Sequence, residues 1–197
     1  MREEEHIVTE DMVITLVKKS QNGDLRAFEQ LVEQYYSKIY NIALGMMGSS
    51  HEAEDAAQNV LIKIYRSIDG FRHQSKFSTW VYRITSNVCM DELRKKKRTK
   101  AVSTDDIGDS AYDIENDNSN ISPEGLILSS ERKAVLYDAI NRLKNEHKQV
   151  IVLRDINGFS YTEMAKILKC SEGTVKSRIS RARGALKNIL EENGYFR

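Results

Sequence analysis

Apolar residues recur at helical spacing along most of the chain, and no segment shows the sustained apolar–polar alternation of a half-buried strand. The pattern predicts a short helix over residues 10–21, ended by Asn22 and Gly23. Asp24 is a suitable N-cap for a longer helix. The inner side of that helix carries Phe28, Leu31, Val32, Tyr35, Ile39, Ile42 and Met46. We therefore expect an all-α protein.

Two more helices are predicted before residue 98. Ser49 and Glu52 have the spacing of a capping box, which starts the third helix. Its apolar residues fall at every fourth position: Ala56, Val60, Ile64 and Ile68. Ser78 is the expected N-cap of the fourth helix, which continues into a dense run of basic residues from Arg94 to Lys100. The inner stripe of the fourth helix is Val81, Ile84 and Val88.

Residues 160–187 contain a short helix, a tight break and a longer basic helix. Ser160 and Glu163 fit a second capping box, and Ser171 is a good N-cap for the second helix of the pair. One buried stripe is predicted from Val175, Ile179, Ala182 and Leu186. This arrangement is typical of a helix-turn-helix whose second helix enters the DNA major groove. The alternative is a solvated, charged surface helix.

The second helix of this pair has a strong bias in charge. Its basic residues are Lys176, Arg178, Arg181, Arg183 and Lys187. Its acid near the start, Glu172, lies in the first turn, where the helix dipole favours negative charge. The bias favours DNA binding over a plain surface helix.

Charge is segregated along the chain. The net charge of the 197 residues is only +1, which excludes a generally basic coat for DNA. The segment 101–124 has seven acids and no Lys or Arg, which predicts a solvated linker. Those acids are Asp105, Asp106, Asp109, Asp113, Glu115, Asp117 and Glu124. Pro123, behind the N-cap candidate Ser122, is expected to be the first residue of another helix.

Aromatic and basic residues alternate around the start of the fourth helix. The aromatic residues are Phe71, Phe77, Trp80 and Tyr82, and the basic ones are Arg72, His73, Lys76 and Arg83. Such a mixture suits single-stranded nucleic acid, because bases stack on rings while cations hold the phosphates. The alternative is that the aromatic residues belong to the hydrophobic core.

The sequence has no motif for a metal site, no phosphate-binding loop and no segment long enough to span a membrane. Cys89 and Cys170 lack metal-ligand spacing, the four His residues form no metal motif, and there is no Gly-rich phosphate loop. No run of residues approaches the length of a membrane span. The N-terminus is acidic, without the apolar core of a signal peptide. We expect a cytoplasmic protein with no catalytic residue, metal or cofactor and no membrane insertion of its own.

Three motifs in order carry a family resemblance. HEAEDAAQNVLIKIYRSI is followed by FRHQSKFSTWVYRITSNVCMDELRKKKR, by the acidic linker, and by GFSYTEMAKILKCSEGTVKSRISRARGALK. From Asp24 to Leu190 the chain resembles a bacterial RNA polymerase sigma factor of the extracytoplasmic-function type, group 4 of the sigma-70 family. The resemblance implies a non-enzymatic subunit that binds core RNA polymerase and directs promoter-specific initiation through −10 and −35 recognition and promoter melting.

The resemblance also implies a division into two small helical domains joined by a flexible acidic linker. A tail and short helix cover 1–23, sigma region 2 covers 24–98, the linker covers 99–121, and sigma region 4 covers 122–197. In the family the linker passes through polymerase channels that otherwise hold nucleic acid. Its acids could imitate a nucleic-acid backbone or could simply solvate a tether, and both possibilities remain open.

Roles for particular residues follow from the same resemblance. Glu54, Asp55 and Gln58 match positions that dock on the clamp helices of the polymerase largest subunit. Phe71, Trp80 and Asn87 match positions that capture flipped bases of the −10 element. Lys176, Ser177, Ser180 and Arg181 match DNA-facing positions for the −35 element. Thr174, Arg178 and Arg183 are candidates for phosphate contacts.

The partners implied by the resemblance are core RNA polymerase, promoter DNA and an anti-sigma factor. Two other classes of protein are alternatives. A stand-alone helix-turn-helix transcriptional regulator would explain residues 160–187. It would leave the acidic residues of the third helix and the aromatic residues around the start of the fourth helix without a role. A recombinase or nuclease would need a carboxylate cluster with metal geometry, which the sequence does not offer.

Overall fold

The computed structural model describes the backbone over residues 9–102 and 123–192, and the side chains over 9–99 and 133–192. Those residues form helices and no strands, so the expected all-α class is confirmed. The α-helices are α1 (Glu10–Gln21), α2 (Leu25–Met47), α3 (Ser50–Ser67), α4 (Phe77–Val102), α5 (Pro123–Arg142), α6 (Asn145–Ile151), α7 (Tyr161–Leu168) and α8 (Glu172–Glu192). A 3-10 turn, Ile68–Gly70, follows α3, and a π-helical segment, Val152–Ile156, follows α6.

Several helix starts are set by the caps that the sequence predicts. The Asp24 carboxylate accepts from the Ala27 amide at 3.0 Å, and Pro123 is the first residue of α5. The capping box of α7 is complete, because the Ser160 side chain accepts from the Glu163 amide and the Glu163 carboxylate accepts from the Ser160 amide. These contacts satisfy amide groups that a helix start leaves without intrahelical partners.

Two predicted caps differ from the structure. Ser49 does accept from the Glu52 amide at 3.2 Å, but the Glu52 carboxylate accepts from Lys96 Nζ at 2.5 Å instead of closing a capping box. The packing of α3 against α4 thus redirects this carboxylate. The expectation that Ser78 caps α4 is wrong: α4 begins at Phe77, and the Trp80 amide donates to the Lys76 carbonyl at 3.2 Å.

The N-terminal helices enclose a core of their own. It is formed by α1, α2, α3 and the first half of α4, with Leu31, Ile39, Val60, Ile64 and Val81 fully buried. These residues belong to the apolar stripes expected from the sequence. Their burial fixes the faces that α2, α3 and α4 leave exposed.

A second core is shared between the two halves of the chain. It joins Ile42 and Met46 near the end of α2 to Cys89 in the middle of α4. From the C-terminal half it takes Ile140, Ile151, Leu153, Met164 and Ile179, among others. The C-terminal helices are therefore packed directly on the N-terminal ones. The predicted linker lies outside the described residues except at its start, where α4 continues to Val102.

Candidate nucleic-acid interface

Helix α8 presents a basic surface opposite its buried stripe. Val175, Ile179 and Ala182 are buried as expected, while Leu186 is only half-buried. Lys176, Ser180, Arg181 and Arg183 are exposed, whereas Thr174, Ser177 and Arg178 are half-buried. The Ser171 hydroxyl accepts from the Thr174 amide at 3.1 Å, so the expected cap is present. The exposed side chains of α8 can meet a duplex without rearrangement of the helix.

The turn between α7 and α8 fixes how α8 is presented. Lys169 ends α7 in the left-handed conformation, with φ at 51°. The Thr162 hydroxyl donates to the Glu172 carboxylate at 2.7 Å, which ties the start of α7 to the first turn of α8. Lys176 Nζ lies 5.9 Å from the centre of the Tyr161 ring. The pair of helices therefore has the geometry of a helix-turn-helix.

Two of the candidate DNA contacts on α8, Arg183 and Ser177, already donate hydrogen bonds within the chain. The guanidinium of Arg183 donates to both carboxylate oxygens of Asp155, at 3.1 and 2.5 Å, and this hydrogen bonding raises the Arg183 pKa. The Ser177 hydroxyl donates to the Thr174 carbonyl at 2.9 Å. Because Arg183 would have to share its donors, its predicted phosphate contact competes with Asp155.

The aromatic residues at the start of α4 form one cluster. The ring centres of Phe71 and Phe77 are 5.3 Å apart, and the Trp80 ring centre lies 5.3 Å from Phe71 and 5.4 Å from Phe77. Phe71 and Phe77 are buried, whereas Trp80 is half-buried. Both alternatives raised by the sequence are thus present: two rings are core residues, and Trp80 keeps part of its surface accessible.

The loop before α4 is held against the rest of the domain. Gln21 Nε2 donates to the carbonyls of Ile68 and Phe71, at 2.9 and 3.1 Å. His73 adopts a left-handed backbone with φ at 54°, and its ring packs 4.8 Å from the Phe71 ring. These contacts hold Phe71 below the loop. The role of Gln21 was not anticipated, because nothing in the sequence relates it to residues almost fifty positions later.

Asn87 is exposed at the edge of a cleft between the two halves of the chain. The cleft measures about 480 Å³ and is also lined by Arg94 and Lys63 from the N-terminal half. Gln149 and Arg178 line it from the C-terminal half. Residues predicted for the −10 element and for the −35 element therefore face one another across a narrow gap.

Helix α3 carries the exposed acidic and polar residues expected from the sequence. Glu54, Asp55 and Gln58 are all exposed. The same side of α3 continues into two apolar residues that the sequence analysis missed, Ile62 and Tyr65, which are 48% and 54% exposed. Ile62 and Tyr65 follow Gln58 at steps of four and three residues, on the side of α3 opposite the buried stripe. This spacing is the feature of the sequence that could have identified them.

The basic run at the end of α4 is partly neutralised by acids of the same domain. Arg94 pairs with Asp91 at 3.2 Å, and Lys95 pairs with Glu92 at 2.9 Å. Lys97 and Arg98 are exposed. Only part of the run is thus available to nucleic acid without loss of an ion pair.

Within the described residues, no group of three or more His, Cys, Asp or Glu side chains could hold a metal ion. No helix in that part of the chain is long and apolar enough to cross a membrane. Both thiols are free, with Cys89 buried and Cys170 half-buried. Burial raises the pKa of the Cys89 thiol to about 12, so it is not a reactive thiolate near neutral pH.

Two protein families match separate parts of the chain. The family described as Sigma-70 region 2 matches residues 31–99, and the family described as Sigma-70, region 4 matches residues 133–186. The two matches together contain α3, most of α4, α6, α7 and most of α8.

Individual relatives match over nearly the whole chain. The ECF RNA polymerase sigma factor SigW of Bacillus subtilis (strain 168) is 36% identical over 185 residues, which are 93% of this chain and 99% of the relative. The ECF RNA polymerase sigma-E factor of Escherichia coli (strain K12) is 37% identical over 182 residues, covering 89% of this chain and 93% of the relative. A solved structure, the sigma factor RpoE in complex with the anti-sigma factor NepR from Bartonella quintana, is similar with a TM-score of 0.65 and 26% identity. That likeness covers 83% of this chain and 96% of the other.

Proposed function

The chain belongs to the extracytoplasmic-function RNA polymerase sigma factors, and we propose that its surfaces divide the work of initiation as follows. As a sigma factor it directs promoter-specific transcription with core RNA polymerase on promoter DNA. The N-terminal domain, residues 24–98, engages the polymerase and the −10 element, and the C-terminal domain, residues 122–197, engages the −35 element. The observation that supports this division is that one chain carries both an exposed basic face on α8 and an aromatic cluster with a half-buried Trp80 at the start of α4.

Helix α8 contacts the −35 duplex from the major groove. Its exposed side chains Lys176, Ser180 and Arg181 contact base edges, together with Ser177. Arg178, Arg183 and Thr174 contact phosphates, which set the register without specifying sequence. Ser180 is short, so Arg181 and Lys176 supply most of the base discrimination.

The start of α4 captures an unstacked base of the −10 element. Trp80 is the stacking surface, since part of its ring is accessible while its inner side rests on Phe71 and Phe77. Phe71 supports this surface from below. Asn87, about two turns further along α4, supplies donors and an acceptor for a base edge. Stacking then offsets part of the cost of unpairing the duplex.

Helix α3 docks on the polymerase. Glu54, Asp55 and Gln58 form the polar part of the docking surface, and Ile62 and Tyr65 extend it with apolar area. Interfaces are energetically dominated by such partly buried apolar and aromatic anchors. The acidic residues add the charge complementarity that fixes orientation.

The proposed function also includes the location of the protein, its lack of catalysis and its regulation. The protein works in the cytoplasm with RNA polymerase, catalyses no covalent chemistry itself, and is regulated by an anti-sigma factor. A solved structure that resembles this chain is a sigma factor bound to an anti-sigma factor, which supports that partner. The stand-alone regulator considered above would leave the match of residues 31–99 to Sigma-70 region 2 without a role.

Transcription with purified core polymerase tests the division. Run-off mapping on genomic templates should yield promoter-specific transcripts that need the protein. A variant with Glu54, Asp55 and Gln58 changed to Ala should lose core-polymerase binding in a pull-down and retain binding of −35 duplex. Changing Glu191 and Glu192 to Ala, two exposed acids at the end of α8, is the matched control and should retain both. A chain that yields no promoter-specific transcript on any template would contradict the function itself.

A further inference from the structure

The last residue of α1, Gln21, links that helix to the loop before α4. Its Nε2 amide donates to the Ile68 carbonyl at 2.9 Å and to the Phe71 carbonyl at 3.1 Å. A side-chain amide nitrogen carries two N–H donors, so both donors are used here. The Phe71 amide donates in turn to the Ile68 carbonyl at 2.9 Å. Gln21 therefore connects the first residue of the 3-10 turn to the residue that follows the turn.

These hydrogen bonds fix the backbone of the loop in a way that the surrounding apolar contacts do not. Val13 and Val17 of α1 belong to the same buried core as Phe71. Apolar packing is non-directional, so it holds the Phe71 ring inside the core without orienting the peptide groups. Hydrogen bonds weaken steeply when donor and acceptor are misaligned. Gln21 thus orients the carbonyls on both sides of the turn, and with them the path of the chain toward His73.

A second link between α1 and the loop is weaker. Lys76 Nζ lies 3.2 Å from a carboxylate oxygen of Glu10, but these side chains are 73% and 55% exposed. Exposed ion pairs contribute little to stability, because water and salt screen them. The loop nevertheless keeps His73 in a left-handed backbone, which a residue other than glycine retains only where its surroundings hold it. The half-buried hydrogen bonds of Gln21 are therefore the stronger polar link from α1 to the loop.

The position of Phe71 determines the surface on which Trp80 rests. The centre of the Phe71 ring lies 5.3 Å from that of Trp80 and 4.8 Å from that of His73. Phe71 is buried, whereas Trp80 is half-buried. A buried ring has little room to move independently of its backbone, because protein interiors are close-packed. A shift of the backbone at Phe71 is therefore passed on to the accessible ring of Trp80.

We propose that Gln21 is a positioning residue for −10 recognition. By holding the carbonyls of Ile68 and Phe71, it keeps the Phe71 ring beneath Trp80 and so presents the Trp80 ring to an unstacked base. This inference rests on the proposed function of α4. It adds to that function a residue of α1, a helix that lies before residues 31–99, the part of the chain that matches Sigma-70 region 2.

Fluorescence of the full-length chain tests the link directly, because Trp80 is the only tryptophan in the sequence. Gln21→Met keeps an unbranched side chain of similar size but removes both donors. In this variant acrylamide should quench Trp80 more efficiently, and the emission maximum should shift to longer wavelength. Unchanged quenching and emission in Gln21→Met would overturn the proposal.

Gln34→Met is the matched control for the fluorescence measurement. Gln34 is an exposed glutamine of α2, and its amide also donates to a backbone carbonyl, that of Gln30 at 3.0 Å. The control therefore removes a hydrogen bond of the same type, but one made within a single helix. Its Trp80 fluorescence should equal that of wild type.

Two further substitutions at Gln21 show whether hydrogen-bond donation or side-chain volume is responsible. Gln21→Lys supplies N–H donors again, so its Trp80 quenching should return toward the wild-type value. Gln21→Glu has the shape of glutamine, but an ionised carboxylate only accepts hydrogen bonds and would face two carbonyl oxygens. It should perturb Trp80 at least as much as Gln21→Met. If Gln21→Lys is as perturbed as Gln21→Met, Gln21 acts through packing and the proposal is wrong.

DNA binding by the reconstituted holoenzyme tests the consequence for promoter recognition. The probe is a single-stranded non-template −10 oligonucleotide from a promoter mapped by run-off transcription. Gln21→Met should bind it about fivefold or more weakly than wild type, which is the contribution of one stacked base. Binding of −35 duplex and of core polymerase should not change. Equal weakening of −10 and −35 binding would indicate a general folding defect and refute the positioning role.

Trp80→Ala distinguishes failure of this inference from failure of the proposed function. If Trp80→Ala holoenzyme binds the −10 oligonucleotide as tightly as wild type, the stacking role proposed for α4 is wrong. If Trp80→Ala weakens binding and Gln21→Met does not, the stacking role stands and the positioning role of Gln21 is refuted. The fluorescence measurement needs neither polymerase nor DNA, and so its result does not depend on the proposed function.

Discussion

The two surfaces that we propose contact DNA are built in opposite ways. On α8 the basic side chains lie on the side opposite the buried stripe, and Lys176 and Arg181 are exposed. On α4 the key aromatic residues are packed into a cluster, where Phe71 is only 4% exposed and Trp80 is half-buried. The exposed side chains of α8 thus take no part in the core, whereas the aromatic side chains of the α4 surface are packed in it.

This difference predicts how each surface responds to substitution. Changes on α8 should alter binding and leave folding intact, because surface substitutions rarely change stability by more than about 0.5 kcal/mol. Changes in the aromatic cluster of α4 should alter both.

Phe71→Ala should have the largest effect. Removing a buried aromatic ring costs about 3–5 kcal/mol, because it leaves a cavity among Phe77, Trp80 and His73. Urea denaturation followed by circular dichroism measures the loss of unfolding free energy. Lys176→Ala is the surface comparison, for which the same measurement should give a change close to zero. A change of similar size for both variants would show that the contrast between the surfaces is mistaken.

The stability of the packing between the two halves of the chain should depend on pH through Lys148, which donates hydrogen bonds to Met46 of α2 and Asn141 of α5. Burial, with the nearby charge of Lys96, lowers its pKa from 10.5 to about 8, and Glu52 opposes this shift. Between pH 8 and 10.5 the unfolded chain binds more protons at this residue than the folded chain, so this contribution to stability rises with pH. The full shift corresponds to roughly 3 kcal/mol at most.

Comparison with Lys148→Met isolates that contribution. The comparison is needed because the pKa values of Tyr82 and Cys89 are raised, which makes stability fall as the pH rises. The stability of wild type relative to Lys148→Met should increase as the pH rises from 8 to 10.5. Chemical denaturation at several pH values provides the measurement. A difference that is constant over this range would mean that Lys148 keeps its ordinary pKa.

Arg181→Ala should weaken −35 recognition by about 1–3 kcal/mol if the guanidinium contacts a base edge. Core-polymerase binding and unfolding free energy should stay unchanged, because Arg181 is exposed on α8, far from the α3 docking surface in sequence and on another domain. Fluorescence anisotropy with −35 duplex and a polymerase pull-down separate the two activities. Equal loss of both would refute the proposed division of labour.

Arg183→Ala should have only a small effect on stability. Its ion pair with Asp155 joins side chains that are 51% and 32% exposed, and exposed pairs contribute about 0.2–1 kcal/mol. Its effect on DNA should appear as a reduction of about one in the slope of log affinity against log salt, uniformly across sequences. A change in sequence preference would instead assign Arg183 to a base. Asp155→Ala, which frees the guanidinium, should not reduce DNA affinity.

Local features of this fold could be predicted because their causes are local. The caps at Asp24, Ser160 and Ser171 depend on residues three positions apart, and the buried stripes of α2, α3 and α8 depend on helical periodicity. Ser78 was assigned wrongly because a polar residue near a helix start can also lie in its first turn, and only the backbone of Lys76 and Phe77 decides.

The sequence by itself determined that this chain is helical, that its basic α8 faces solvent, and which family it resembles, since short-range patterns carry that information. Tertiary structure decided the contacts of Gly45, Phe71, Gln149 and Asn87, because their partners are distant in the chain. A glycine that only weakens a helix when considered locally becomes the residue that admits Val152. The packing of the two halves of the chain depends on such long-range contacts, and periodicity and capping within single helices do not encode them.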